Sequence, residues 1–159
     1  MMKTILFVCT GNTCRSSMAE ALFKDMLAER GRDDWEVISA GVSAFEGNSA
    51  HENAILALDE EGIETIKEHQ AQRLNQDLIQ QADLILTMTC RHKQLIFDQY
   101  PEAEAKTFTL KEYALFDQQN QASRERLDIS DPFGQALKEY RNCANEIKES
   151  LKQLLKKLD

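Results

Sequence analysis

The sequence predicts one α/β domain spanning residues 1–159, a three-layer sandwich in which a four-stranded parallel sheet is flanked by helices. Three observations carry this. Two short apolar runs, Thr4-Ile5-Leu6-Phe7-Val8 and Leu84-Ile85-Leu86-Thr87-Met88, show no polar alternation, as expected of strands buried on both faces. Strand-like runs alternate with segments of helical period, the pattern of right-handed βαβ units. The length of 159 residues suits a single core, and six Gly, two Pro and no low-complexity run leave no room for a long linker.

The elements follow in order. After the first strand, Met18, Ala19, Leu22, Phe23, Met26 and Leu27 recur at helical spacing, so a helix is expected over 16–30, stopped by Gly31. Residues 36–39 read as a second strand and 41–49 as a loop. A helix over 50–61, carrying Ile55, Leu56 and Leu58, ends at Gly62. A short helix is expected after Asn75, then the strand at 84–88, a helix over 92–100 closed by Pro101, and a weak fourth strand over 106–109. Residues 116–130 are polar and aperiodic and read as a loop. The last segment places Leu137, Tyr140, Ala144, Ile147, Leu151, Leu154 and Leu158 on one helix face. That face suits packing on the sheet better than a coiled-coil dimer, because it runs for only about three heptads.

Composition narrows the function classes. The 27 acidic and 19 basic side chains give a net charge of −8, which argues against non-specific binding to nucleic acid or an anionic membrane. The sequence has no apolar stretch of about 18 residues and no secretory signal, so the cytoplasm is the expected location. Cys9, Cys14, Cys90 and Cys143 form no C-x-x-C pair and no zinc-like spacing, so thiols and no metal are expected. His51, His69 and His92 are scattered along the chain and read as solvated or structural.

The candidate chemistry lies in Cys9-Thr10-Gly11-Asn12-Thr13-Cys14-Arg15-Ser16, between the first strand and the first helix. A strand-to-helix turn can curl its backbone N–H groups into a nest for a tetrahedral oxyanion, helped by the helix dipole. Gly11 and Asn12 are residue types that tolerate the positive φ such a nest needs. The donors that hold phosphate oxygens would also stabilise a thiolate at Cys9. Arg15 is permanently charged and can fork onto two phosphate oxygens. The Ser16 hydroxyl can donate to the sulfur. The alternative is a small Cys ending a buried strand, with Arg15 on a helix surface. Cys14 is placed either to trap an oxidised Cys9 as a disulfide or to fill space beneath the loop.

This loop and its setting resemble the low-molecular-weight protein tyrosine phosphatase family. Met18-Ala19-Glu20-Ala21, Ser39-Ala40-Gly41, Ala82-Asp83-Leu84 and Asp131-Pro132-Phe133 extend the resemblance over essentially all of the chain. Ser17 departs from it, since the family usually has Pro there. The resemblance implies a phosphocysteine mechanism without metal or cofactor. Cys9 would be the nucleophile, Arg15 and loop residues Thr10, Gly11, Asn12, Thr13, Cys14 and Ser16 would bind phosphate, and Asp131 would be the general acid and base. From the residues alone, Asp131 could instead cap the last helix with Pro132 in its first turn.

Thr13 stands where the tyrosine enzymes usually carry Ile, and a Thr there resembles the protein arginine phosphatase branch, as do Met88-Thr89 and residues 108–113. A guanidinium offers N–H donors and a flat face, so an acceptor at Thr13 or Asp131 and a wall at Phe133 would suit it. A second wall from the loop after Gly41 is less clear, because the aromatic there, Phe45, is displaced from its expected place. The resemblance implies phosphorylated protein substrates and no cofactor, for a monomer or weak dimer. The alternatives are a tyrosine phosphatase, a thioredoxin-coupled arsenate reductase and a non-catalytic phosphate-binding module. The reductase needs two further cysteines a few residues apart, and no second Cys follows Cys90 before Cys143.

Overall fold

The computed structural model describes residues 2–115 and 127–159. Four parallel strands, β1 (Lys3–Cys9), β2 (Trp35–Gly41), β3 (Leu84–Thr87) and β4 (Thr107–Thr109), stand in the order β2-β1-β3-β4. The helices among the described residues are α1 (Arg15–Glu29), α2 (Glu52–Asp59), α3 (Gln76–Gln81), α4 (Cys90–Gln99), α5 (Leu110–Leu115) and α6 (Leu137–Leu158). None is long and apolar enough to cross a membrane.

β1 is an interior strand, and its alternating side chains feed two cores. Ile5 and Phe7 join Met18, Leu22 and Phe23 of α1 and Ile147, Leu151 and Leu154 of α6 on one face. Leu6 and Val8 join Ile79 of α3, Ile85 of β3 and Ile96 of α4 on the other. Each fully buried large apolar side chain contributes about 1.5–3 kcal/mol by leaving water, so β1 anchors both layers. The apolar face of α6 is consumed inside the chain, as the packing reading expected: Tyr140, Ala144, Ile147, Leu151 and Leu154 are all buried.

The helix ends carry their signals. Gly31, at φ 61°, follows α1, and the N–H groups of Gly31 and Arg32 reach back to the carbonyls of Ala28 and Leu27, a Schellman closure. The Asn75 side chain accepts from Leu78 N–H at 2.9 Å and opens α3.

Three pieces depart from the expected elements. Residues Thr65–Glu68 and Pro101–Lys106 form 3₁₀ turns, so Pro101 both closes α4 and opens the next turn. Residues 110–115 form α5, opened by a reciprocal cap: Glu112 N–H donates to Thr109 Oγ1 and Thr109 N–H donates to Glu112 Oε1, both at 3.0 Å. Of the loop expected over 116–130, residues 116–126 lie outside the described residues, and 128–130 are irregular.

Candidate active site

The parallel sheet puts the carboxyl ends of β1, β2 and β3 at one edge, where ligands bind in such folds. β1 ends at Cys9 and α1 begins at Arg15, so residues 10–14 turn across that edge. Cys9 Sγ faces donors. Asn12 N–H donates to it at 3.3 Å, and Ser16 Oγ lies 2.8 Å away. Ser16 Oγ also accepts from Asn12 Nδ2 at 2.8 Å, which leaves the Ser16 proton for the sulfur.

Asn12 holds the turn together. It is fully buried at φ 58°, a left-handed conformation that Asn tolerates better than other side-chain-bearing residues. Every polar group it owns is used. Nδ2 donates to Ser16 Oγ and to Ser39 Oγ, each at 2.8 Å. Oδ1 accepts from Gln72 N–H at 3.0 Å, and its carbonyl accepts from His69 Nε2 at 2.6 Å. Ser39 in turn donates its hydroxyl to Glu20 Oε1 at 2.7 Å. The chain from Glu20 through Ser39, Asn12 and Ser16 to Cys9 thus links a carboxylate at one end to the sulfur at the other.

Two glycines behave differently from one another. Of the two residue types that tolerate positive φ, Asn12 and not Gly11 supplies the left-handed step in this loop. A Cβ on Gly11 would meet only Thr13 Oγ1, at 3.7 Å. Gly41, at the end of β2, is the position with no room. A Cβ there would lie 2.5 Å from the Thr10 carbonyl oxygen and 2.9 Å from Asn12 N. The backbone of β2 therefore presses directly on the back of the nest.

Arg15 is almost wholly buried, and its Nη1 donates to the Ile129 carbonyl at 3.0 Å. Its Nη2 lies 3.6 Å from Asp131 Oδ2, a carboxylate still 54% exposed. Such a half-wet pair adds little stability; its value is positional. The segment that carries Asp131 is pinned to the sheet edge by Ile129 N–H on the Met88 carbonyl, at 2.8 Å, and by Asp128 Oδ1 accepting from Cys90 N–H at 2.7 Å. Asp131 does not cap the last helix: α6 starts at Leu137 with Ala136 at its cap position. Instead, Asp131 Oδ1 accepts from Phe133 N–H at 3.1 Å, which leaves Oδ2 facing Arg15.

The histidines, distant in sequence, converge on this loop. His69 holds the Asn12 carbonyl. His92 is buried, with Nε2 2.9 Å from Thr10 Oγ1, and burial followed by the Arg15 charge pushes its pKa down to about 4. His51 opens α2, where its Nδ1 accepts from Asn53 N–H at 3.1 Å and its own backbone N–H donates to the Thr13 carbonyl. The His51 ring stacks on Tyr140 at 4.9 Å and takes Phe133 edge-on at 6.4 Å. The expectation of solvated or structural histidines thus holds only in its structural half. His51 is the ring that backs Phe133, whereas Phe45 is 77% exposed. The only sequence signal for His51 is its place just before the first turn of α2.

The remaining loop thiol, Cys14, is buried with Tyr140 Oη 3.4 Å from its sulfur. Burial pushes the thiol pKa of Cys14 up, and that of Cys143 up to about 12. Ser17, in place of the family's usual Pro, donates its hydroxyl to the Cys14 carbonyl at 2.8 Å and so ties down the same turn by a hydrogen bond.

The profile of the low molecular weight phosphotyrosine protein phosphatases matches residues 4–159. The chain belongs to this family. It is therefore a cysteine-dependent protein phosphatase by class. Within the family it is similar to the protein-arginine-phosphatase of Bacillus subtilis, 44% identical over 154 residues that cover 97% of this chain and 95% of that one. It is 36% identical over 151 residues to a probable low molecular weight protein-tyrosine-phosphatase of Ralstonia nicotianae, covering 95% of this chain and 92% of that one. A solved arginine phosphatase, in a mutant with a phosphorylated active-site serine, superposes with a TM-score of 0.87 at 41% identity, over 98% of this chain and 95% of its own. A family phosphatase needs a nucleophile, a phosphate cradle and an acid, and Cys9, the 10–16 turn and Asp131 are the candidates that this edge of the sheet brings together.

Proposed function

We propose that this phosphatase hydrolyses phosphoarginine in proteins through a phosphocysteine at Cys9. The observation that carries the substrate is Thr13. Its hydroxyl has one polar neighbour among the described residues, Cys14 Sγ at 3.8 Å, a weak contact that leaves its oxygen open to a guanidinium N–H. Asp131 Oδ2 is a second acceptor nearby, and the exposed ring of Phe133 is a flat wall suited to a guanidinium face. The similarity to named arginine phosphatases supports the same reading.

The reaction has two steps. The Cys9 thiolate attacks phosphorus in line, the P–N bond breaks, and Asp131 gives its proton to the departing guanidine nitrogen. Loop amides and Arg15 hold the equatorial oxygens as charge spreads onto them. Water then gives a proton to Asp131 while its oxygen attacks phosphorus, and the S–P bond breaks as Ser16 donates to the returning thiolate. Loop residues Thr10, Gly11, Asn12, Thr13, Cys14 and Ser16 form the phosphate cradle in this reading.

The protein is further proposed to act as one domain over residues 1–159, as a monomer or weak dimer in the cytoplasm, on phosphorylated proteins, with its charge of −8 unfavourable to nucleic acid and anionic membranes. A tyrosine phosphatase is the second reading, favoured by the identity to the Ralstonia relative. Side-by-side turnover of phosphoarginine and phosphotyrosine peptides tests the choice: faster turnover of phosphoarginine is expected, and equal or faster turnover of phosphotyrosine would overturn it. Loss of all turnover in Cys9→Ser checks the nucleophile.

A further inference from the structure

Thr10 follows the nucleophile in the chain and has an exposed side chain, yet its hydroxyl is held from behind by a buried ring. His92 Nε2 lies 2.9 Å from Thr10 Oγ1, and His92 Nδ1 lies 3.0 Å from Thr89 Oγ1. Thr89 Oγ1 also accepts from the His92 backbone N–H at 3.2 Å, as the cap of α4. These contacts allow two tautomers, and each leaves one threonine hydroxyl proton without a partner among the described residues. If Nδ1 carried the ring proton, Thr89 Oγ1 would accept twice from one residue, and its own proton would have no partner among the described residues. With Thr89 donating to Nδ1, the ring proton sits on Nε2, aimed at Thr10, and the proton left without a protein partner is that of Thr10, the more exposed of the two threonines. In that tautomer Thr10 Oγ1 accepts from His92, so the Thr10 proton turns away from the ring.

We propose that Thr10 uses this hydroxyl as an additional donor to the transferring phosphoryl group, and that His92 is the positioning residue that holds it in the donating orientation. The inference rests on the reading of Cys9 as nucleophile. The low proton affinity of His92 fits the role. A neutral ring keeps the relay from Thr89 to Thr10 directional. A protonated ring would reverse the Thr89 contact and place a second cation near Arg15, whose charge already disfavours it. His92 joins the site from the start of α4, so the relay ties the nest to the β3 side of the sheet, as Asn12 ties it to the β2 side.

The test compares wild type with Thr10→Val, Thr10→Ser, His92→Asn, His92→Gln and the double variant Thr10→Val/His92→Asn, on a phosphoarginine peptide and on an aryl phosphate. Thr10→Val and His92→Asn should each lower kcat about tenfold with KM little changed, the mark of a contact that matters in the transition state. Thr10→Ser should stay near wild type. His92→Gln should too, because its amide N–H falls near the place of Nε2–H. The double variant should be no slower than Thr10→Val. An unchanged kcat in Thr10→Val, or losses that multiply in the double variant, would overturn the inference. Because the Thr10 side chain is exposed, Thr10→Val tests the proposed donor even if His92→Asn unfolds. Absence of turnover by wild type on both substrates would instead remove the phosphatase reading, and this inference with it.

Discussion

Ser16 Oγ lies 2.8 Å from Cys9 Sγ and accepts the Asn12 amide proton at the same distance, so its own proton is available to a Cys9 thiolate. The relationship matters most when the sulfur leaves phosphorus. In the first step the thiolate must give up part of this bond to attack; in the second it regains it. Ser16→Ala should therefore slow hydrolysis of the phosphocysteine about 10- to 100-fold, the worth of a hydrogen bond to a charged group. Rapid-quench kinetics should show a phosphoenzyme burst that wild type lacks, and equal slowing of both steps would assign Ser16 to structure alone.

Thr13→Ile should shift preference. It removes the open acceptor and adds apolar volume beside the nest, so phosphoarginine turnover should fall while phosphotyrosine turnover holds or rises. The ratio of the two kcat/KM values should move by at least about tenfold, the loss expected when a polar partner is removed from a guanidinium. An unchanged ratio would take Thr13 out of the specificity argument.

Gly41→Ala tests the backbone contact behind the nest. The added methyl would sit 2.5 Å from the Thr10 carbonyl oxygen and 2.9 Å from Asn12 N, and neither atom belongs to a movable side chain. The loop must shift, so inorganic phosphate affinity should fall at least about tenfold by calorimetry and stability should fall by about 2–4 kcal/mol. Gly11→Ala is the control: its Cβ meets only Thr13 Oγ1 at 3.7 Å, so its melting temperature should stay near wild type.

His92 should give a pH-dependent contribution to stability. Its folded pKa, lowered to about 4 by burial and then by Arg15, lies below the unfolded value of about 6.5. Between those values the unfolded chain binds the proton and the folded chain does not. Stability linked to this residue is thus whole above about pH 6.5 and drains away as pH falls towards 4, by up to about 3 kcal/mol. Urea unfolding at about pH 7 and about pH 4.5 should show this difference in wild type and a smaller one in His92→Gln. Equal differences in the two proteins would mean that another group dominates.

How far the sequence speaks is clearest where signals are local. The strand-loop-helix unit around residues 9–16 is legible because strand, Gly, Asn, Cys and Arg lie within a few residues, and each type has a physical job there. The helix over 110–115 is also written, as Thr109 followed three residues later by Glu112, but so short a segment has no period to reveal it. Gly11 and Asn12 are limited in a related way: residue type shows that a positive φ is allowed, not that it is used, and here Asn12 takes it.

The sequence by itself determined the parallel sheet, the position of the Cys9 turn at a strand end and the inward face of the last helix, because periodicity and strand length act over neighbouring residues. Only the tertiary structure decided that Asp131 meets Arg15 instead of capping α6, that Gly41 closes the back of the nest, and that His51, His69 and His92 reach the loop from three separate segments. The physical reason is that these contacts depend on strand order. Placing β1 between β2 and β3 brings the ends of three strands to one edge, and no local pattern in the chain encodes which side chains meet there.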